Sequence, residues 1–324
     1  MDQKKISSTA AAIKKHRYFL ISTHVNPDGD AFGSSLALKF MLEALGKKAD
    51  IVVDSACPKE LAFLPGTDKI IYKPELKQRK YDAVFCLDCG SYDRIGKVQK
   101  IAPKNAPIIN IDHHETNTRF GAINWVDLNV CATAELILAM AEHFKIRISR
   151  QFAVCIYTAI VTETGHFSFS NTSLRSHMIA AEMIRYGVKP SIVSYGLVKN
   201  KTLSDLKLTA KVMGRIRVTK DGTTAWSSIT ADDLKNPRTV PGDSQEYLHH
   251  MVSLKGVHAS ILFRQTPEGT VKASARTDGT ISASKLMLKF GGGGHPRAAG
   301  CTLKASLKNA QKRVLDAVKR MLGR

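Results

Sequence analysis

His24, Asp28 and Asp30 stand close together in His24-Val25-Asn26-Pro27-Asp28-Gly29-Asp30, one imidazole and two carboxylates around turn-forming residues. Two further segments, ending on Asp88 and on Asp112-His113-His114, each follow a short apolar run. Carboxylates gathered this way repel one another unless protonated or neutralised, and divalent cations are the ordinary means of holding them beside imidazoles. The mixed His/carboxylate set suits Mn²⁺ or Fe²⁺ better than Ca²⁺. Two such ions about 3.5–4 Å apart would activate a water and neutralise a phosphoryl group, so phosphoester hydrolysis is the chemistry that fits. A simple turn over residues 26–29, with Asp30 capping a helix, explains several of these residues but leaves His24 without a role.

The elements that must position these groups follow from the apolar runs at 18–23, 49–53, 83–87 and 107–111. Each is short, partly β-branched and bounded by polar, Gly or Pro residues, as buried parallel strands are. Helical patterns occupy 31–45, 133–144, 150–162 and 172–186. Strand–helix alternation predicts an α/β fold whose N-terminal domain is a doubly wound, mainly parallel sheet. In such sheets ligands bind at the carboxyl edge, where the first, third and fourth strands deliver His24, Asp88 and Asp112-His113-His114. A lysine-containing helical stretch at 202–215 reads as a connector, and segments 217–219, 224–228, 258–263 and 271–275 read as strands of a smaller C-terminal α/β domain. The expected domains are therefore residues 1–190 (catalytic, metal-binding), 191–214 (helical linker) and 215–324 (substrate-binding).

Three motifs in order, His24-x-x-Pro-Asp28-Gly-Asp30-Ala-x-Gly-Ser, Asp88-x-Gly-Ser-x-x-Arg94-x-Gly96 and Asp112-His113-His114, resemble the first three motifs of the DHH phosphoesterase superfamily. Near the C-terminus, Phe290-Gly-Gly-Gly-Gly-His295-Pro-Arg297-Ala-Ala-Gly300 resembles the glycine-rich motif of the DHH-associated C-terminal domain. Together they cover nearly the whole chain and are most similar to the NrnA-type oligoribonucleases and 3′-phosphoadenosine 5′-phosphate (pAp) phosphatases. The resemblance implies that His24 and Asp28 bind one metal, that Asp30 and His113 bind the other, and that Asp88 bridges both. It also implies that His114 lies beside the scissile phosphate, which makes Asp88, His113 and His114 the expected catalytic residues. Where the family has Asp-Thr-Gly, this chain has Glu163-Thr164-Gly165, so Glu163 takes the place of a metal-binding aspartate with a side chain one methylene longer. His166 follows as a histidine without an assigned role. Two Mn²⁺ per site are expected, with Mg²⁺, Co²⁺ or Fe²⁺ as alternatives.

Four consecutive glycines expose backbone N–H groups without side-chain obstruction, which suits a phosphate, although a flexible loop explains glycines alone equally well. Arg276, His295 and Arg297 flank that segment with groups that bind anions. The expected substrate contacts are thus Arg276, Gly292, Gly293, Gly294, His295 and Arg297, with Arg276 and His295 also implied by the resemblance. Arg264 and Lys272 read more simply as solvated strand residues, and the lysines of the helix after Ser306 as a solvated face.

The net charge is +20, and residues 199–324 hold 23 of the 48 basic residues but only 9 of the 28 acidic ones. An acidic metal-binding part beside a basic part fits a phosphate-bearing ligand. Aromatic residues make up 7% of the chain and do not interleave with the basic ones, which disfavours long nucleic acid and favours short RNA or small phosphorylated nucleotides. Six cysteines without a dense framework, no secretory segment and no apolar run of about 20 residues point to a reduced, cytoplasmic protein without a membrane span. A zinc or redox role for Cys86-x-x-Cys89 lacks a second ligand pair. Assembly as a homodimer is compatible with these features. The expected function is hydrolysis of short RNA to nucleoside monophosphates and of pAp to AMP. Linear or cyclic dinucleotides such as cyclic di-AMP are the alternative substrates, and a nucleotide-binding regulator without catalysis, suggested by Glu163, is the alternative from another class.

Overall fold

The four apolar runs of the N-terminal half become β1 (Tyr18–Thr23), β2 (Lys48–Val53), β4 (Ala83–Leu87) and β5 (Ile108–Asp112), joined by β3 (Ile71–Tyr72) and β6 (Ile123–Val126). These strands come from a computed structural model that describes residues 2–72, 80–198, 202–235 and 244–323. They form one sheet in the order β3-β2-β1-β4-β5-β6, every neighbouring pair parallel. The order reverses between β1 and β4, and at such a switch point the loops leaving the carboxyl ends diverge and open a crevice. The two strands missing from the sequence reading, β3 and β6, are two and four residues long, too short to show a period.

Helices α1 (Gln3–Lys15), α2 (Gly29–Ala44), α3 (Thr133–His143), α4 (Arg150–Glu163) and α5 (Leu174–Arg185) bury apolar faces in one core with Phe19, Ile21, Phe85, Leu87, Ile109 and Ile111 of the sheet. The opposite face, with Leu20, Val84 and Cys86, is covered by Ile95 and Val98 of a 3₁₀ segment, Tyr92–Lys100. α2 and α4 lie unusually close. A Cβ on Gly29 would sit 2.1 Å from Thr162 Oγ1, and one on Gly33 would sit 2.6 Å from the Cys155 carbonyl oxygen and 2.8 Å from Ala159 Cβ. Glycine at both positions lets the first turn of α2, carrying Asp30, meet the last turn of α4, carrying Glu163. Gly33→Val is therefore expected to destabilise the protein by about 1–3 kcal/mol through overpacking. Thermal melting measures it, and an unchanged Tm would mean that the two helices part without cost.

The chain divides into two compact units, residues 1–200 and 201–324. The stretch expected as a linker, 191–214, contributes to both: α6 (Pro190–Val198) buries Val193 in the first core, and α7 (Leu203–Gly214) buries Leu208 and Val212 in the second unit. Residues 199–201 lie outside the described residues. α7 is the helix expected at 202–215, but apolar residues on one face make it part of a core rather than a bare connector.

The second unit is built on a mixed sheet, β11-β12-β10-β9-β8-β7, formed by β7 (Arg217–Val218), β8 (Thr224–Ile229), β9 (Ala259–Gln265), β10 (Val271–Thr277), β11 (Gly293–Gly294) and β12 (Ala298–Leu303). Only β8 and β9 pair in parallel; the other pairs are antiparallel. α9 (Ala283–Leu288) and α10 (Leu307–Met321) cover the face bearing Ile261, Phe263, Ala273 and Ala275. α7 and α8 (Ser244–Val252) cover Ala225, Ile229 and Leu262 on the other face.

Candidate active site

β1, β4 and β5 end side by side in parallel register, so the residues after them converge at one edge of the sheet. His24 follows β1 and stays buried, its Nδ1 2.9 Å from the Val25 carbonyl. Val25 N–H donates in turn to the Arg94 carbonyl at 2.8 Å, so the second motif braces the first. Asp28 caps α2, accepting from the N–H groups of Asp30 and Ala31 at 3.1 Å each. Asp88 follows β4 with φ at +52°, a left-handed conformation that aspartate tolerates and that is common at strained functional positions.

The carboxylate of Asp88 is the hub. Its Oδ2 lies 3.5 Å from His24 Nε2 and its Oδ1 3.4 Å from His113 Nε2. His113 Nε2 also lies 3.6 Å from Asp30 Oδ2 and 3.9 Å from Glu163 Oε1. Two ligands each about 2.1 Å from one ion, at angles between octahedral and tetrahedral, stand about 3.0–3.4 Å apart. The spacing therefore fits donors arranged around an ion better than donors bonded directly to each other. His24, Asp28 and Asp88 form one group able to hold a cation, and Asp30, Asp88 and His113 form another, with Asp88 common to both. A third group, Asp88, Asp112 and His114, is drawn tighter: His114 Nδ1 donates to Asp112 Oδ1 at 2.7 Å. Asn117 Nδ2 donates to Asp112 Oδ2 at 2.6 Å, which fixes the carboxylate that fixes the imidazole.

The protein's own groups balance this buried charge. Burial, followed by the field of Asp88, pushes the Asp30 carboxyl well above its usual range. Burial works in the same direction on Asp88, but the imidazoles of His113 and His24 beside it outweigh it and hold that carboxyl well below the usual range. Burial alone would discharge the imidazoles; Asp88 outweighs it for His24 and His113, and Asp112 does so for His114, leaving all three raised. One carboxylate surrounded by imidazoles and a second carboxyl beside it make a strongly coupled polar cluster, the pattern expected where catalytic groups gather.

The structure brings together His24, Asp28, Asp30, Asp88, His113, His114 and Glu163 in the first unit. His166 is exposed and, with Tyr157, Val161, Phe167, Pro190 and Val193, lines a cavity of about 330 Å³. Asp112, Asn117 and Thr133 enter the site without having been singled out as functional residues. Asp112 had a signal as the first member of its triplet, whereas Thr133 is remote in sequence from the carboxylates it meets.

In the second unit, Arg276 is buried on β10, opposite Ser260 of β9 and Ala298 of β12. Lys272, on the same face of β10, stands directly opposite Arg264. Of the four glycines, Gly291 and Gly292 donate their N–H groups to Leu288 and Met287 and cap α9, and Gly293–Gly294 form β11 against β12. A Cβ on Gly292 would sit 2.2 Å from the Gly300 carbonyl oxygen. Gly292 and Gly294 are thus closely packed against β12, whereas a Cβ on Gly291 or Gly293 would meet nothing within 4 Å. His295 and Ala298 close a hairpin through reciprocal backbone hydrogen bonds of 2.7 and 3.2 Å, with Arg297 exposed at its tip.

The DHH family, N-terminal domain, matches residues 18–160, and the DHHA1 domain matches residues 227–324. The chain is 36% identical over 305 residues to the bifunctional oligoribonuclease and PAP phosphatase NrnA of Thermus thermophilus, covering 94% of this chain and 90% of that relative. It is 25% identical to the enzyme of the same name from Bacillus subtilis, covering 88% of each. Among solved structures, an exopolyphosphatase-related protein from Bacteroides fragilis superposes with a TM-score of 0.89 at 27% identity, over 99% of this chain and 97% of that one. With both domains matched in order and the His/Asp cluster at the sheet edge, the chain belongs to the DHH family of metal-dependent phosphoesterases.

Proposed function

We propose that this phosphoesterase hydrolyses the phosphodiester bonds of very short RNA, releasing nucleoside monophosphates, and removes the 3′ phosphate of pAp. The observation that carries the reading is Asp88, whose two oxygens face two different imidazole-containing groups, as a ligand shared by two cations must. The names of the Thermus thermophilus and Bacillus subtilis relatives supply the substrate class. His24 and Asp28 would hold one ion, Asp30, His113 and Glu163 would hold the other, and Asp88 would serve both. The imidazole/carboxylate donor set selects Mn²⁺ over Ca²⁺. Two such ions would neutralise phosphoryl charge and lower the pKa of an attacking water. His114, its Nδ1–H fixed on Asp112, directs Nε2 to a phosphoryl oxygen. Arg276 of β10 binds the nucleotide together with Gly293, Gly294, His295 and Arg297, and Gly292 shapes the turn that presents the latter four.

Among the described residues no helix is long and apolar enough to cross a membrane, and all six cysteines are free thiols, which supports action in the cytoplasm. The test is an end-labelled time course with Mn²⁺ on RNA of two to five nucleotides, beside pAp, cyclic di-AMP and pyrophosphate. Stepwise release of mononucleotides, suppressed by chelator, is the expected result. Hydrolysis of cyclic di-AMP or pyrophosphate alone would replace the proposed substrate, and inactivity on all four would favour a nucleotide-binding regulator.

A further inference from the structure

The first turn of α3 meets both of the most deeply buried metal-site carboxylates. The backbone N–H of Thr133 donates to Asp30 Oδ2 at 2.6 Å and that of Ala134 to Asp30 Oδ1 at 3.0 Å, so Asp30 is clamped through both oxygens by main chain alone. The Thr133 hydroxyl donates to Asp88 Oδ1 at 3.1 Å, and Thr133 is fully buried. The turn is itself anchored. Cys131 N–H donates to Glu135 Oε1 at 2.8 Å, and Arg175 Nε donates to Glu135 Oε2 at 2.9 Å. Asn171 Nδ2 donates to the carbonyls of both Cys131 (3.3 Å) and Glu163 (3.0 Å), tying the start of α3 to the end of α4.

Asp88 needs such a support more than Asp30 does. The terminal torsion of an aspartate is soft, and rotation about it would carry one oxygen away from His24 or the other away from His113. We infer that Thr133 is a positioning residue of the metal centre: its hydroxyl locks the carboxylate of Asp88 in the orientation that serves two cations, while its own N–H holds Asp30 beside it. The inference rests on the two-cation reading above. Outer groups of this kind typically change metal affinity or activity about 10–100-fold when removed.

The test titrates metal-stripped protein with Mn²⁺ by calorimetry for wild type, Thr133→Val, Thr133→Ala and Thr133→Ser. Alongside, it measures the Mn²⁺ activation constant, the KM for a dinucleotide at saturating Mn²⁺, and Tm. Thr133→Val is expected to raise the Mn²⁺ dissociation and activation constants by about 10–100-fold with KM little changed. Thr133→Ser, which keeps the hydroxyl, is expected to stay near wild type. Wild-type Mn²⁺ affinity in a folded Thr133→Val protein would overturn the inference. If that variant does not fold, Thr133→Ala decides on the same readouts; if neither folds, the hydroxyl serves folding and the inference falls. A wild-type protein that takes up no Mn²⁺ would instead overturn the two-cation reading, which keeps the two failures apart.

Discussion

Asp88→Asn is expected to reduce hydrolysis by about 10³-fold or more, because metal assistance in phosphoryl transfer supplies several kcal/mol and each 1.4 kcal/mol is about tenfold in rate. Asparagine keeps the shape of the side chain and tolerates the left-handed backbone at this position, so it removes the charge with little strain. Asp88→Ala is expected to lose activity equally and to lose stability as well. It costs about 1–2 kcal/mol in the left-handed region and strips the neighbouring negative charge from buried His24 and His113. The decisive measurement is Mn²⁺ stoichiometry by calorimetry on Asp88→Asn. A loss of tight binding at both sites would fit a shared ligand, loss at one site would reduce Asp88 to an ordinary ligand, and two ions bound with wild-type affinity would refute the assignment.

The second large effect is expected at His114. Removing a group that stabilises developing charge or transfers a proton lowers turnover by about 10²–10³-fold. His114→Ala is therefore expected to lose kcat on that scale while Mn²⁺ affinity and stoichiometry stay at wild-type values. Asp112→Asn tests the same arrangement one step removed: with Asn117 Nδ2 donating to the amide oxygen, the amide NH2 faces His114 Nδ1 and favours the other tautomer, and a loss of about 10–100-fold in kcat is expected. Because Asp88, Asp112 and His114 also stand close enough to share a cation, the outcome discriminates two roles. If His114→Ala loses Mn²⁺ instead of turnover, His114 is a ligand and the phosphate contact must be sought elsewhere.

Much of the site was legible in the residues because its chemistry is written at strand ends. β1 and β4 were found with their observed limits, and β5 to within one residue, since short β-branched runs bounded by polar residues are a local signal. Once they were parallel neighbours, His24, Asp88 and His113 had to share an edge. The boundary between the units was less legible, because the helical pattern at 202–215 shows that a helix forms but not which core receives Leu208 and Val212. The glycines at 291–294 illustrate the same limit. Their freedom was evident, yet its main use, a close approach of Gly292 to Gly300, depends on a strand that arrives later in the chain.

The sequence by itself determined the residue types of the metal cluster, the strands that carry them and the class of reaction, because these depend on local pattern and on the chemistry of the side chains. Only the tertiary structure decided which groups meet: that Gly29 and Gly33 bring α4 and Glu163 against α2, that Asn117 and Asp112 fix His114, and that Thr133 reaches Asp88. The first and the last are contacts between segments far apart in the chain, made when helices close-pack against a sheet, whereas the Asn117–Asp112–His114 chain forms within one loop after β5. Periodicity records the face that an element buries, not the partner that it will find there.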